Sequence, residues 1–234
     1  VNRPIVIMGS CYLFFAFWLN CLTDGESLIV FAPYLIFLLY SYIKELYARH
    51  PSPIVNLGAI MLSQMYIALP LSLVNILAFH KFEIFSQSVD YYVIPLAMYI
   101  FLWLNDTGAY LSGSLLGKHK LLPRISPKKS WEGFIGGNLF ALAAAYLMSV
   151  LDQPLSNLLV GNDGSSLELW QWFVFAQIVV VFGTMGDLVE SLLKRTLGVK
   201  DSGAAIPGHG GWLDRFDSLI FAAPVVACYL YLLL

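Results

Sequence analysis

Charge is what this chain has least of. Asp, Glu, Lys and Arg make up 12% of its 234 residues, about half the ~25% usual in soluble domains. So few charges cannot clothe a water-facing surface, which excludes a disordered chain and a soluble nucleic-acid binder with a basic face. Cysteine is scarce as well. Cys11, Cys21 and Cys228 are odd in number, lack any CxxC spacing and sit in or beside apolar stretches. That excludes a secreted disulfide scaffold and reads as small buried hydrophobes rather than metal or redox ligands. Internal repeats and low-complexity tracts are absent too. The net charge of −2 and pI near 6.1 say little, because the distribution of charge matters more than its sum.

What is present is apolar. Hydrophobic residues reach 59% against roughly 45–50% in globular proteins, with 15% aromatics and a mean hydropathy of +0.73. The solvent for such a surface is lipid. A helix crossing a ~30 Å hydrocarbon core needs about 20 apolar residues, and seven stretches qualify: 5–22, 28–43, 54–79, 91–111, 134–151, 167–186 and 213–234. The expected fold is therefore all-α, a polytopic integral membrane helical bundle with about seven transmembrane helices. The second span is short, so the first two could instead form one hairpin that does not fully cross. Pro70 inside the third predicts a kink or steep tilt. Residues 5–22 are too long for the apolar core of a signal peptide and precede no small-residue cleavage site. The chain opens Val1-Asn2-Arg3-Pro4 without Met, and the expectation is that the native protein begins further upstream.

Charges between the spans alternate. Asp24 and Glu26 stand alone, then Lys44 and Arg49; Lys81 is outnumbered by Glu83 and Asp90; then come Lys118, Lys120, Arg124, Lys128 and Lys129. If Arg3 and every second loop face the cytoplasm, all of the thirteen Lys and Arg except Lys81 lie there, as the positive-inside rule requires. The polar motifs fall on that same side.

Three of these motifs carry chemistry. Asn105-Asp106-Thr107 interrupts the fourth span, and a carboxylate at membrane depth must face a cavity or a partner; the alternative is interhelical hydrogen bonding. The next loop reads Ser126-Pro127-Lys128-Lys129-Ser130-Trp131-Glu132-Gly133. Gly113 to His119 is one residue short of a P-loop and lacks the Ser/Thr after Lys118. Ser130 is placed to cap a helix, so that N–H and ammonium groups converge as a phosphate site would need; a generic basic loop that binds anionic headgroups is the plainer reading. The longest motif runs from Asp187 to Asp217. Asp187, Glu190, Ser191 and Lys194 share one helical face, as do Asp214 and Asp217 on the next helix. Carboxylates on two helices joined by Pro207-Gly208-His209-Gly210-Gly211 make an oxygen-rich cluster suited to Mg²⁺, and a lone His209 does not suit zinc. Buried ion pairs of Lys194 or Arg215 with these acids are the alternative.

The spacing Ser-x-x-Lys-Arg-x₄-Lys-Asp-x-Gly-x₂-Ile-Pro-Gly-His-Gly-Gly-x₂-Asp-Arg-x-Asp, from Ser191 to Asp217, closely resembles the signature of the phosphatidate cytidylyltransferase, or CDP-diacylglycerol synthase, family. Asn105 to Tyr110 and the Ser126–Gly133 loop are similar to that family's too. The resemblance extends from about Tyr66 to the C-terminus, with Trp212 where an aliphatic is usual and Asn105 where Thr is more frequent. It implies further spans upstream, a division into N-terminal hydrophobic spans (1–50) and a membrane-embedded catalytic domain (51–234), and CTP and phosphatidate as substrates. Mg²⁺ would sit on Asp187 and Asp214, with Asp217 or Asp106 as further ligands. Catalysis would rest on Asp187, Lys194, Asp214 and Asp217. Substrate contacts would come from Lys128, Lys129, Ser191, Arg195, Lys200, Asp201, His209 and Arg215, with Gly208, Gly210 and Gly211 permitting close backbone approach. Also implied are membrane lipid as surroundings, no nucleic-acid partner, a homodimer to which Gly133, Gly136 and Gly137 could contribute, and a bacterial inner (cytoplasmic) membrane location with the site facing the cytoplasm. A CTP-dependent kinase of a lipid alcohol and an ion-coupled transporter are the rival readings of the same acids.

Overall fold

The computed structural model describes residues 3–23, 27–49, 51–79, 81–84, 87–90, 93–159, 167–203 and 210–233. Eight helices account for most of them: α1 (Arg3–Leu22), α2 (Ala32–Ala48), α3 (Pro53–Ser63), α4 (Leu69–Phe79), α5 (Val93–Leu116), α6 (Trp131–Leu159), α7 (Leu169–Thr196) and α8 (Leu213–Leu232). A short 3-10 turn (Leu28–Phe31) precedes α2, and there are two two-stranded pieces, β1 (Lys81–Ile84) with β2 (Gln87–Asp90) and the antiparallel β3 (Lys120–Leu122) with β4 (Ser126–Ser130). The chain is an all-α polytopic membrane protein. Six helical stretches among the described residues are long and apolar enough to cross a bilayer. The seventh expected span is the 24-residue α5, which is long enough, but Asn105 and Asp106 lower its hydropathy and it does not join the six. Leu35, Ile36, Leu39, Leu139, Tyr146 and Leu147 are among many large apolar side chains that face outward. Such faces belong in lipid.

The chain divides into two compact units, 1–81 and 82–234. In the first, α1 packs along α4. Asn75 Nδ2 donates to the Phe14 carbonyl at 3.1 Å, and Gln64 Nε2 donates to Ser10 Oγ at 2.9 Å. The Phe37 ring lies where a Cβ on Gly9 would stand, bringing α2 close to α1. The disturbance expected at Pro70 takes a definite form. Gln64–Ala68 is a π-helical turn between α3 and α4, with Leu69 N–H donating to the Gln64 carbonyl. A proline ring crowds the carbonyl four residues before it, and widening the turn there relieves that contact without ending the helix.

The second unit contains the motifs. α5 and α6 lie against each other along glycine. A Cβ on Gly137 would meet Asn105, one on Gly108 the Phe140 ring, and one on Gly133 the Ala109 carbonyl. These glycines are therefore engaged within the chain. Phe101, Trp172 and Phe175 form the buried centre between α5 and α7, with the Phe101 and Phe175 rings edge to face at 5.3 Å. The amides of Asn138 and Gln177 exchange two hydrogen bonds, 3.0 and 2.8 Å, across α6 and α7. Such a pair satisfies one donor and one acceptor of each amide within the bundle.

Candidate active site

Asp106 sits in the middle third of α5 and opens into a cavity of about 360 Å³. Lys128 and Lys129 line the same cavity from β4, Thr184 from α7, and Ala109 and Phe134 supply an apolar wall. The two lysines reach it because the loop after α5 is a hairpin rather than irregular chain: Lys120 pairs with Ser130 and Leu122 with Ser126. Pro123 and Arg124 lie at the turn between the strands. Ile125 is buried and gives the hairpin an apolar foothold.

Ser130 caps α6 as expected, its Oγ accepting the Gly133 N–H at 3.1 Å. That bond engages one backbone donor at the start of α6. Trp131 N–H is also taken, by the His119 carbonyl at 2.9 Å.

Lys129 Nζ lies 2.5 Å from Asp187 Oδ2, and Asp187 Oδ1 accepts the Ser191 hydroxyl at 3.2 Å. Asp106 is within electrostatic reach of both Lys129 and Asp187. Asp217, on α8, is within reach of Asp187 and Glu190. That proximity has a simple origin. Gly186 has no side chain, and the Asp217 carbonyl occupies the place its Cβ would take, so α7 and α8 touch one residue before Asp187.

A second cluster lies further along α7. Lys194 Nζ donates to Glu190 Oε2 at 2.6 Å and to Asp214 Oδ1 at 2.7 Å. Glu190 is 1% exposed, and its Oε1 has no hydrogen-bond partner among the described residues. Asp214 Oδ2 accepts the N–H and hydroxyl of Ser202, at 2.9 and 2.8 Å, and the Gly211 N–H at 2.7 Å. Asp214 thus fastens the α7–α8 loop. Gly210, at φ +81°, lies so close that a Cβ would stand 2.7 Å from Asp214 Oδ2. Only glycine meets both demands.

The structure brings Asp106, Lys128, Lys129, Asp187, Ser191 and Asp217 around one region, and Lys194 with Asp214 beside it. Arg195, Lys200 and Asp201 are exposed at the end of α7 and in the loop beyond. Arg215 is exposed and has an interaction of its own. Gly208 and His209 lie outside the described residues. Sequence reasoning passed over Thr184, which lines the cavity, and Ser202, which binds Asp214. Thr184 could have been found, since it lies three residues before Asp187 on one helical face. Ser202 had no signal, because its partner depends on how the loop returns.

Whether these residues suit Mg²⁺ turns on donor chemistry and charge. Among the described residues no three carboxylate or imidazole groups already converge on one point. The donors are nonetheless all hard oxygens, as Mg²⁺ requires. Both Asp187 and Asp214 are neutralised by an ammonium group at 2.5 and 2.7 Å, so each already holds a cation. In kind and in charge the set fits.

The cytidylyltransferase family model matches residues 2–233. The chain belongs to the cytidylyltransferase family. Its relatives include proteins named phosphatidate cytidylyltransferase: that of Staphylococcus saprophyticus is 42% identical over 147 residues, 63% of this chain and 51% of the relative. That of Staphylococcus haemolyticus is 47% identical over 131 residues, 55% of this chain and 46% of the relative. That of Staphylococcus aureus is 44% identical over 145 residues, 62% and 50%. The chain spans about half the length of these curated relatives of the family.

Proposed function

We propose that this chain carries the transfer site of a phosphatidate cytidylyltransferase, converting CTP and phosphatidate to CDP-diacylglycerol and pyrophosphate. The observation that carries this reading is the cavity beside Asp106, in which two lysines and a carboxylate share the walls with apolar side chains. A lipid phosphate needs both kinds of wall. The name of the relatives supports the choice of nucleotide and lipid.

In the proposed reaction a phosphate oxygen of the lipid forms a bond to the α-phosphorus of CTP, and the bond to the bridging α–β oxygen breaks. Pyrophosphate leaves with that electron pair. The nucleophile is already ionised, so no strong base is needed, and the obstacle is the approach of two anions. Lys128 and Lys129 would hold one phosphate group. Lys194, with Arg195 and Lys200 at the same end of α7, would hold the other. Ser191, Asp201, His209 and Arg215 remain the proposed hydrogen-bonding contacts. Such fixed positive charge aligns the groups and stabilises the transition state. Mg²⁺ would be held by Asp187 and Asp214, with Asp217 or Asp106 beside them, and when bound supplies charge neutralisation for the triphosphate. Lys129 and Lys194, paired with those carboxylates here, would turn toward phosphate when substrate enters. The acyl chains stay in the leaflet while the headgroup enters between helices.

The alternating charges support an orientation with this site toward the cytoplasm of a bacterial inner membrane. A homodimer is part of the proposal, and it would use faces other than the glycine stripe of α6. The test is turnover of CTP labelled with ³²P at the α-phosphorus, with phosphatidate in detergent and with or without Mg²⁺. Label is expected in the lipid only with Mg²⁺. Label entering lipid from the γ-phosphorus instead would overturn the reading in favour of a lipid-alcohol kinase.

A further inference from the structure

We infer that Glu132 is a positioning residue that clamps the base of the β3–β4 hairpin and so keeps Lys128 and Lys129 at the cavity through the reaction. The inference rests on the cytidylyl-transfer reading above. Glu132 lies in the first turn of α6, and both of its carboxylate oxygens accept the backbone N–H of His119, at 3.1 and 3.2 Å. The His119 ring adds a third tie, Nδ1 lying 2.6 Å from Glu132 Oε1. With the Trp131 N–H donating to the His119 carbonyl, these bonds join the residue that enters β3 to those that follow β4.

The clamp matters because the hairpin's other polar tie is temporary. Lys129 is held to Asp187 here, and that pair opens as Lys129 turns to a substrate phosphate. The hairpin then keeps its buried Ile125 and the bonds at its base. Its charge works against order. Lys118, Lys120, Arg124 and Lys128 are all exposed, and Glu132 is the sole acidic residue in the sequence between Asp106 and Asp152. A carboxylate near a helix N-terminus is favourable for the helix alone, and that purely structural role would not reach the hairpin or the substrate constants.

The experiment uses the full chain in detergent with Glu132→Ala and Glu132→Gln. Losing a bond set to a charged group is worth about tenfold. Trypsin should therefore cut Glu132→Ala at Lys118, Lys120 and Arg124 about tenfold faster than wild type, while cutting at Lys44 and Arg49 is unchanged. The kcat/KM for transfer should fall by a similar factor, as displacing charges that stabilise the transition state requires. Glu132→Gln, which keeps an acceptor for the His119 N–H, should fall between, and it decides the matter if the alanine variant does not fold. Unchanged hairpin cutting in both variants, or a kcat/KM equal to that of wild type, overturns the inference. If wild type transfers nothing, the cytidylyl-transfer reading falls and the trypsin rates alone decide the clamp.

Discussion

Lys129 Nζ stands 2.5 Å from Asp187 Oδ2, which ties a surface hairpin to the middle of α7. The two side chains are 30% and 33% exposed, and pairs so open to solvent contribute only about 0–1 kcal/mol to stability. The pair's worth then lies elsewhere. Lys129→Gln should leave the thermal transition nearly unmoved while lowering kcat/KM by about 10²–10³, the usual cost of losing one preorganised charge at a reacting phosphate. Parallel melting curves and initial rates check both halves.

The buried cluster behaves oppositely. Lys194 holds Glu190, which is 1% exposed, as well as Asp214. Lys194→Met strands a buried carboxylate, a loss of about 3–5 kcal/mol when one partner of a buried pair is removed. The double variant Lys194→Met with Glu190→Gln removes the uncompensated charge and should recover a large part of that loss. Thermal denaturation of the two variants in the same detergent makes the comparison. If the double variant is no more stable than the single, Lys194 does not serve Glu190.

Gly186 offers a test of helix placement with a control in the same chain. A Cβ there meets the Asp217 carbonyl, so Gly186→Ala must move α8 away from α7 and cost about 1–3 kcal/mol as overpacking does. It should also lower transfer activity, because Asp187 and Asp217 part. Gly58 has nothing within 4 Å of the same position, and Gly58→Ala should be neutral or slightly stabilising in its helix. Melting temperatures and rates for the two variants measure the difference.

How much of this was legible beforehand depends on the kind of signal. Spans were, because twenty apolar residues in a row have one explanation, and α5 was found despite Asp106. The shared face of Asp187, Glu190, Ser191 and Lys194 was also legible, since helical spacing fixes it. The β3–β4 hairpin was not. Its strands are too short for alternation to register, and Pro123 and Pro127 read as loop punctuation. The partition of roles between Asp187 and Asp214 was hidden for a different reason. Sequence showed acids and bases at suitable spacings, but which lysine neutralises which carboxylate is decided by loop return and helix contact, at Gly210 and Gly186. In the third long span Pro70 predicted a kink or steep tilt, and what the structure shows there is a π-helical turn at Gln64–Ala68, whose form depends on carbonyl geometry that composition does not carry.

Loop protection separates the two carboxylates that the proposal places on one metal. Asp187→Asn leaves Lys129 with a neutral partner and leaves the α7–α8 loop alone, since the bonds of Asp187 run to Lys129 and Ser191. Asp214→Asn disturbs the loop as well, because Asp214 accepts from Ser202 and Gly211. Both variants should lose Mg²⁺-supported transfer by at least about 10². Only Asp214→Asn should also become more sensitive to trypsin at Lys200. Chelation with EDTA should abolish wild-type transfer and Mg²⁺ should restore it. Equal protection at Lys200 in the two variants would show that Asp214 does not fasten the loop, and full activity of Asp187→Asn would remove it from the proposed metal site.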